Sequence, residues 1–334
     1  MKFSKIFSDH LDHCYAIMRL QALERDFIVV ASEENQPCYA YDLDNNFERI
    51  MVWNDIGGTM TLVPIPGTLN FLATQRFYPG FNSLHCRIVK ETFNGHGWDQ
   101  SVVGEYPYIH RFDIIPKTNN GEYWYIGCSI ANSKKYTDDW SDPGKVWVGV
   151  YQDKQHQIQD LRALPIRITK NHGYHRMEGY SLITGAEGIF RLDYPTKQED
   201  WKLTQLAQNE TSDIAATDIN NDGQLEYLAI EGFHGSHLRV YDTNFKTISV
   251  SSEATPFGHA IWGGKIKNHN CFLFGWRAGK QGLELIRDTQ LSATLIGDHL
   301  GPSNVTVYEK NEHQYLLSAN REANEVAIYQ IDDE

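Results

Sequence analysis

The stretch 226–242, EYLAIEGFHGSHLRVYD, holds two short alternating apolar runs, EYLAIEG and SHLRVYD, joined by a glycine-bracketed polar loop. Tyr, Leu, Ile and Val in alternation, bounded by Gly, Ser and Asp, mark two strands rather than a helix. The same pair recurs along the chain. First strands ending in small residues read DFIVVAS (26–32), LNFLATQ (69–75), YWYIGCS (123–129), YSLITGA (180–186), CFLFGWR (271–277) and YLLSANR (315–321). Their partners read PCYAYDL (37–43), LHCRIVK (84–90), KVWVGVY (145–151), GIFRLDY (188–194), GLELIRD (282–288) and EVAIYQI (325–331). With 226–242 these make seven copies. They are spaced by roughly 40–60 residues, and no amphipathic helix competes with them.

A further strand precedes each pair, as in HAIWGGKI (259–266), VTVYEK (305–310) and DIAATDI (213–219), and most copies have one after it. Four strands per copy at this period predict an all-β fold, a seven-bladed β-propeller. The last copy ends at Gln330-Ile331 with no room for a fourth strand. FSKIFSD (3–9) stands alone before the first copy and resembles ATLIGD (293–298). Strand Phe3–Ser8 is therefore expected to complete the last blade and close the ring, removing a sheet edge. No linker or low-complexity run interrupts the chain, so residues 1–334 read as a single domain.

Of 334 residues, 41% are hydrophobic and 12% aromatic, enough for a sizeable core. A net charge of −13 without a basic stripe argues against a nucleic-acid partner. The N-terminus, MKFSKIFSDHLDHCY, carries Asp9, His10, Asp12 and His13 where a secretory signal needs apolar residues. No run of about 18 apolar residues suggests a membrane span. Five cysteines, odd in number and never CxxC, each sit in a strand-like segment. They read as reduced core thiols of a cytoplasmic protein.

The run 218–226, DINNDGQLE, places Asp218, Asn220, Asp222 and Glu226 at positions 1, 3, 5 and 9, with Gly223 at the sharp turn and Gln224 able to offer its carbonyl. Alternate oxygens turned inward form the cage that Ca²⁺ prefers. The bland alternative is an Asn/Asp/Gly turn without an ion. The loop resembles the DxNxDGxxE loop of FG-GAP (VCBS-type) propeller repeats, which implies a structural calcium site in blade five. NNGE (119–122) in blade three is a degenerate version.

Aligning the copies on their innermost strand places Tyr15 (or His13), Thr59, His110, His172, Asp213, His259 and Asn304 at one level. Equivalent blade positions surround the axis, so three imidazoles and a carboxylate are expected at one mouth of the central channel. Loops expected on that face carry Arg76, Tyr78, Lys134, Lys135, Tyr136, Trp140, His234, Trp276, Arg277 and Arg321, and the third-blade loop is the longest.

Three readings of the ring stay open. His110, His172 and His259, with Asp213, could hold Zn²⁺ or Mn²⁺. Alternatively His172, His175, Tyr78 and Tyr136 could perform metal-free acid–base chemistry. The third reading is polar side chains that only bond strand ends and channel water.

DDWSDPGKVWVG (138–149), KNHGYHRMEGYSLITGAEGIFRL (170–192) and FGHAIWGGK (257–265) are similar to the propeller of aldos-2-ulose dehydratase and its FG-GAP relatives. The dehydratase is larger than this chain. Oligogalacturonate lyase, a seven-bladed propeller with a histidine-ligated manganese, offers a likeness of architecture only. These resemblances imply a carbohydrate lyase or dehydratase acting on a sugar, uronic acid or oligosaccharide, with the ion polarising a carbonyl. Arg76, Lys135, Arg277 and Arg321 would hold the substrate's anionic group, and Trp140 and Trp276 would stack on its ring. The alternative is a non-catalytic propeller that binds a glycan or protein through the same face.

Overall fold

The computed structural model describes residues 1–78, 83–118 and 121–333; Asn119 and Asn120 of the degenerate NNGE turn lie outside them. The strands form seven four-stranded antiparallel sheets, a seven-bladed β-propeller. Blade one is β2 (Cys14–Ala22), β3 (Arg25–Ser32), β4 (Cys38–Asp42) and β5 (Glu48–Trp53). Blade two is β6 (Leu62–Pro64), β7 (Phe71–Gln75), β8 (Arg87–Phe93) and β9 (Trp98–Glu105). Blade three is β10 (Ile109–Pro116), β11 (Glu122–Ser129), β12 (Gly144–Gln152) and β13 (Gln157–Ile168). Blade four is β14 (Gly173–Arg176), β15 (Tyr180–Gly185), β16 (Gly188–Asp193) and β17 (Lys202–Ala207). Blade five is β18 (Thr211–Thr217), β19 (Glu226–Glu231), β20 (His237–Tyr241) and β21 (Thr247–Val250). Blade six is β22 (Gly258–Ile266), β23 (His269–Trp276), β24 (Leu283–Ile286) and β25 (Ala293–Gly297). Blade seven is β26 (Pro302–Lys310), β27 (His313–Asn320), β28 (Glu325–Asp332) and β1 (Lys2–His10).

The N-terminal strand is where the repeat count placed it. β1 runs antiparallel to β28, with Phe3 opposite Ile331 and Ser8 opposite Ala327. The bounds of two expected strands change most: the strand of LHCRIVK moves to Arg87–Phe93, and that of GLELIRD contracts. LHCRIVK begins as a 3₁₀ turn over Ser83–His85, and GLELIRD keeps only Leu283–Ile286 in strand.

Contacts group the chain into two compact units, Leu11–Asn171 with blades one to three, and Met1–His10 plus His172–Glu334 with blades four to seven. In the first unit, Trp98 meets Phe27 edge-on at 5.4 Å and Phe71 at 6.1 Å, while its Nε1 donates to Leu69 O at 2.7 Å. Aromatic pairs of this kind contribute about 0.5–1.5 kcal/mol beyond their burial. In the second unit, Leu228, Ile230, Val240, Phe272 and Phe274 pack blade five on blade six. Leu273, Leu285, Leu316, Ala327 and Ile331 pack blade six on blade seven.

All five cysteines are buried thiols, and burial pushes Cys86, Cys128 and Cys271 up to about 12. Among the described residues, no helix is long and apolar enough to cross a membrane.

Candidate functional site

The innermost strand of most blades carries a bulge near its start. Register shifts put the extra residue at Tyr15 in β2, His110 in β10, Ser212 in β18, His259 in β22 and Ser303 in β26. His172 stands at the matching place in blade four, just ahead of Gly173, which pairs with Thr184. His110, His172 and His259 are therefore equivalent, as the repeat alignment expects. The equivalent residues in blades five and seven are Ser212 and Ser303, one position before Asp213 and Asn304. Asp213 is buried, and its Oδ1 accepts from the Ile214 amide at 2.9 Å.

This register has a direct consequence for the imidazoles. His172 Nδ1 lies 3.1 Å from Ser212 O, and His259 Nδ1 lies 2.7 Å from Ser303 O. Each ring thus donates to the backbone of the equivalent residue in the next blade. A carbonyl only accepts, so Nδ1 carries the proton and the neutral ring keeps its lone pair on Nε2.

A third imidazole joins them from a loop. After β19 the chain turns through Gly232 (φ 82°) and His234 (φ 48°), tied by Gly232 N to Glu210 O at 2.7 Å and Gly258 N to Gly235 O at 2.8 Å. This places His234 Nε2 at 3.3 Å from His172 Nε2. The His234 ring stacks on Phe233 at 4.0 Å and on Phe257 at 4.4 Å. Nitrogens of His172, His234 and His259 all lie within 4.8 Å of one another. His234 lies outside the repeated strands, so the repeat does not mark it as a ligand; its sequence signal is the flanking pair Gly232 and Gly235.

Arg277 continues the stack, with its guanidinium 4.8 Å from the centre of the Phe257 ring. Its Nε donates to Glu322 Oε1 at 2.8 Å, and Arg321 donates to both oxygens of the same carboxylate at 3.1 Å. Trp276 is a core residue, 6% exposed and packed beside Phe274, so its indole faces the blade interior. His175 lies half-buried on β14, and burial lowers its pKa to about 4.

The remaining candidates belong to the first unit. His110 is buried and meets Phe77 edge-on at 5.3 Å, and Phe77 in turn meets Tyr78 at 5.7 Å. Arg76 is exposed in a left-handed turn (φ 63°). In the long loop, Tyr136 is 66% exposed and Lys135 is exposed. Lys134 covers Trp140 with its Nζ 3.3 Å from the ring centre. Asp142 organises this loop, accepting from Asn132, Ser133 and Arg167. Asp139 accepts from the Lys135 amide and from Ser141, whose hydroxyl and amide bonds hold its carboxyl down to about 2.

The calcium-type loop joins β18 to β19. Asp218 accepts from the amides of Asp222 and Gly223 at 3.0 Å, and Asp222 Oδ1 from that of Gln224 at 2.8 Å. Glu226 accepts from the Ile219 amide and from Asn220 Nδ2. Burial, aided by the charges of Asp222 and Asp218, raises the Glu226 pKa.

No family model and no curated protein sequence matches the chain. Solved structures do. The WD40 β-propeller domain of Doa1 is 11% identical with a TM-score of 0.65, over 99% of this chain and 98% of that one. Raptor from Chaetomium thermophilum is 11% identical with a TM-score of 0.62, over 100% of this chain and 30% of that one. At such identity the likeness carries the fold and nothing further, and the FG-GAP resemblance rests on its sequence motifs alone. The chain is a seven-bladed β-propeller similar in fold to a WD40 domain.

Proposed function

We propose that the chain is a non-catalytic binding propeller that takes a protein partner on the platform of Phe233, His234, Phe257 and Arg277. One observation carries this reading: the four planar groups are already stacked in sequence, and all are half-buried. Stacked aromatic and arginine groups present large contact area at low entropic cost, which is why interface hot spots favour them. The test is a photo-crosslinking phenylalanine at position 233 or 257, with the captured protein then measured against variants. Phe257→Ala is expected to weaken binding by about 10–100-fold, the effect of losing one hot-spot residue, with an unchanged circular dichroism spectrum. Equal binding by the variant overturns the reading.

A second reading is a lyase or dehydratase acting on a sugar or uronic acid, favoured by the convergence of His172 and His259 with the platform's His234. His172 or His175 would take the proton next to a carbonyl while the substrate expels a β-oxygen. Incubation with uronic acids and keto-sugars, followed by absorbance of a conjugated product, decides it. Product formation retained in His172→Ala counts against a catalytic role for that residue. For the blade-five loop we propose a structural Ca²⁺: added Ca²⁺ should raise the melting temperature of the native chain and not that of Asp222→Ala.

A further inference from the structure

From the geometry of blades four to six we infer that His172, His234 and His259 form a mononuclear site for Zn²⁺, with its fourth position open to water or a donor from outside the chain. The inference goes beyond partner binding and does not depend on it.

Three features of the site carry it. The first is spacing. Two nitrogens bound to one tetrahedral zinc at 2.0–2.1 Å stand about 3.3–3.4 Å apart. His172 and His234 already present their Nε2 atoms at 3.3 Å. The third nitrogen lies within 4.8 Å of both, so a side-chain shift of about 1.5 Å at most completes the set.

The second is the outer support. Zinc-bound histidines donate their other ring N–H to a carbonyl or carboxylate, which fixes the tautomer and aims the lone pair. His172 and His259 do this through Ser212 O and Ser303 O. The repeat thus aims two ligands in the same way, each from a buried position.

The third is the sheath. Phe233 and Phe257 clamp the His234 ring from both sides, and Phe233 also meets His172 edge-on at 5.6 Å. Apolar walls limit the motion of the loop-borne ligand and lower the local dielectric, which strengthens an ion–imidazole bond. Three neutral imidazoles without a carboxylate ligand suit zinc and disfavour manganese, which prefers oxygen.

The test uses the full chain after dialysis against a chelator. Titration with ZnCl₂ by calorimetry should give one ion per chain with micromolar or tighter affinity. Co²⁺ should bind with the intense visible d–d bands of a four-coordinate site. His234→Ala, a loop substitution that spares the core, should weaken zinc by more than about 100-fold, beyond the effect of losing an outer-shell partner. His234→Cys restores a ligand, and should recover affinity and add a thiolate charge-transfer band to the Co²⁺ spectrum. His237→Ala, on an exposed histidine whose ring contacts neighbouring Ser236, should change nothing. The inference is overturned by no saturable binding in the native chain, by native-like zinc affinity in His234→Ala, or by an equal loss in His237→Ala. Zinc is measured with no partner present, so failure of this site and failure of the platform are separate results.

Discussion

Gly173 lets His172 reach its acceptor. A β-carbon at 173 would lie 2.6 Å from Ser212 O and 2.8 Å from the Asp213 Cα, both backbone atoms that cannot swing aside. Without a β-carbon there, blade five approaches closely enough for Ser212 O to accept the hydrogen bond from His172 Nδ1. Gly173→Ala is therefore expected to cost about 1–3 kcal/mol, the usual range for overpacking, seen as a lower urea midpoint with an unchanged slope. It should also weaken zinc by about 10-fold through the displaced carbonyl; an unaltered zinc affinity would show that the carbonyl does not position the ring. At this scale the sequence was partly legible. The histidines of blades three, four and six could be aligned because each opens an inner strand with a recognisable partner. Asp213 and Asn304 stand one residue past the ring position because the extra residue of each bulge, Ser212 or Ser303, leaves no mark in a sequence read by alternation alone. His234 has no counterpart in the repeat, so only folding brings it to His172.

The strands differ in how clearly they can be read, and burial explains the difference. Second strands such as β3 are buried on both faces, with only Arg25 partly exposed, so they appear as continuous apolar runs. Fourth strands such as β21 and β25 are short and mostly exposed, so no long buried run marks their bounds. One buried strand holds a misfit. Glu91 on β8 is 0% exposed, and its Oε1 accepts from Gln100 at 2.6 Å. Burial raises its pKa from 4.5 to about 7. The folded chain therefore keeps a proton between pH 4.5 and 7 that the unfolded chain releases. The associated stability is complete below pH 4.5 and declines as pH rises toward 7. The full swing is at most about 3.4 kcal/mol, at 1.36 kcal/mol per pKa unit. Glu91→Gln should flatten the pH dependence of the denaturation midpoint across this window and stabilise the chain at pH 7. Matching slopes in native chain and variant would place the proton elsewhere.

At the scale of the molecule, the two ends of the chain meet in one sheet. Residues 1–10 belong to the unit that also holds His172–Glu334, although the sequence between them builds the other unit. β1 shields β28, whose edge would otherwise offer unpaired N–H and C=O groups to another chain. Phe3 packs on the cluster that joins blades six and seven. This closure was legible because the seventh copy lacked a strand that the N-terminus could supply. It follows that the pairing matters and the position of the chain ends does not. Deleting residues 1–10 should lower the melting temperature by several degrees, about 2–4 °C for each kcal/mol lost, and cause concentration-dependent association. A permutant tests the other half of the statement. Lys2 lies opposite Asp332, so a hairpin-length linker of about 2–5 residues can join the old ends. New ends between Gln198 and Glu199 fall in an exposed turn between β16 and β17. Because β1 and β28 stay paired, the permutant should melt within a few degrees of the native chain and remain monodisperse at concentrations where the deletion variant associates. A permutant as unstable as the deletion would mean that the turn at 198–199 carries structure beyond its own exposed residues.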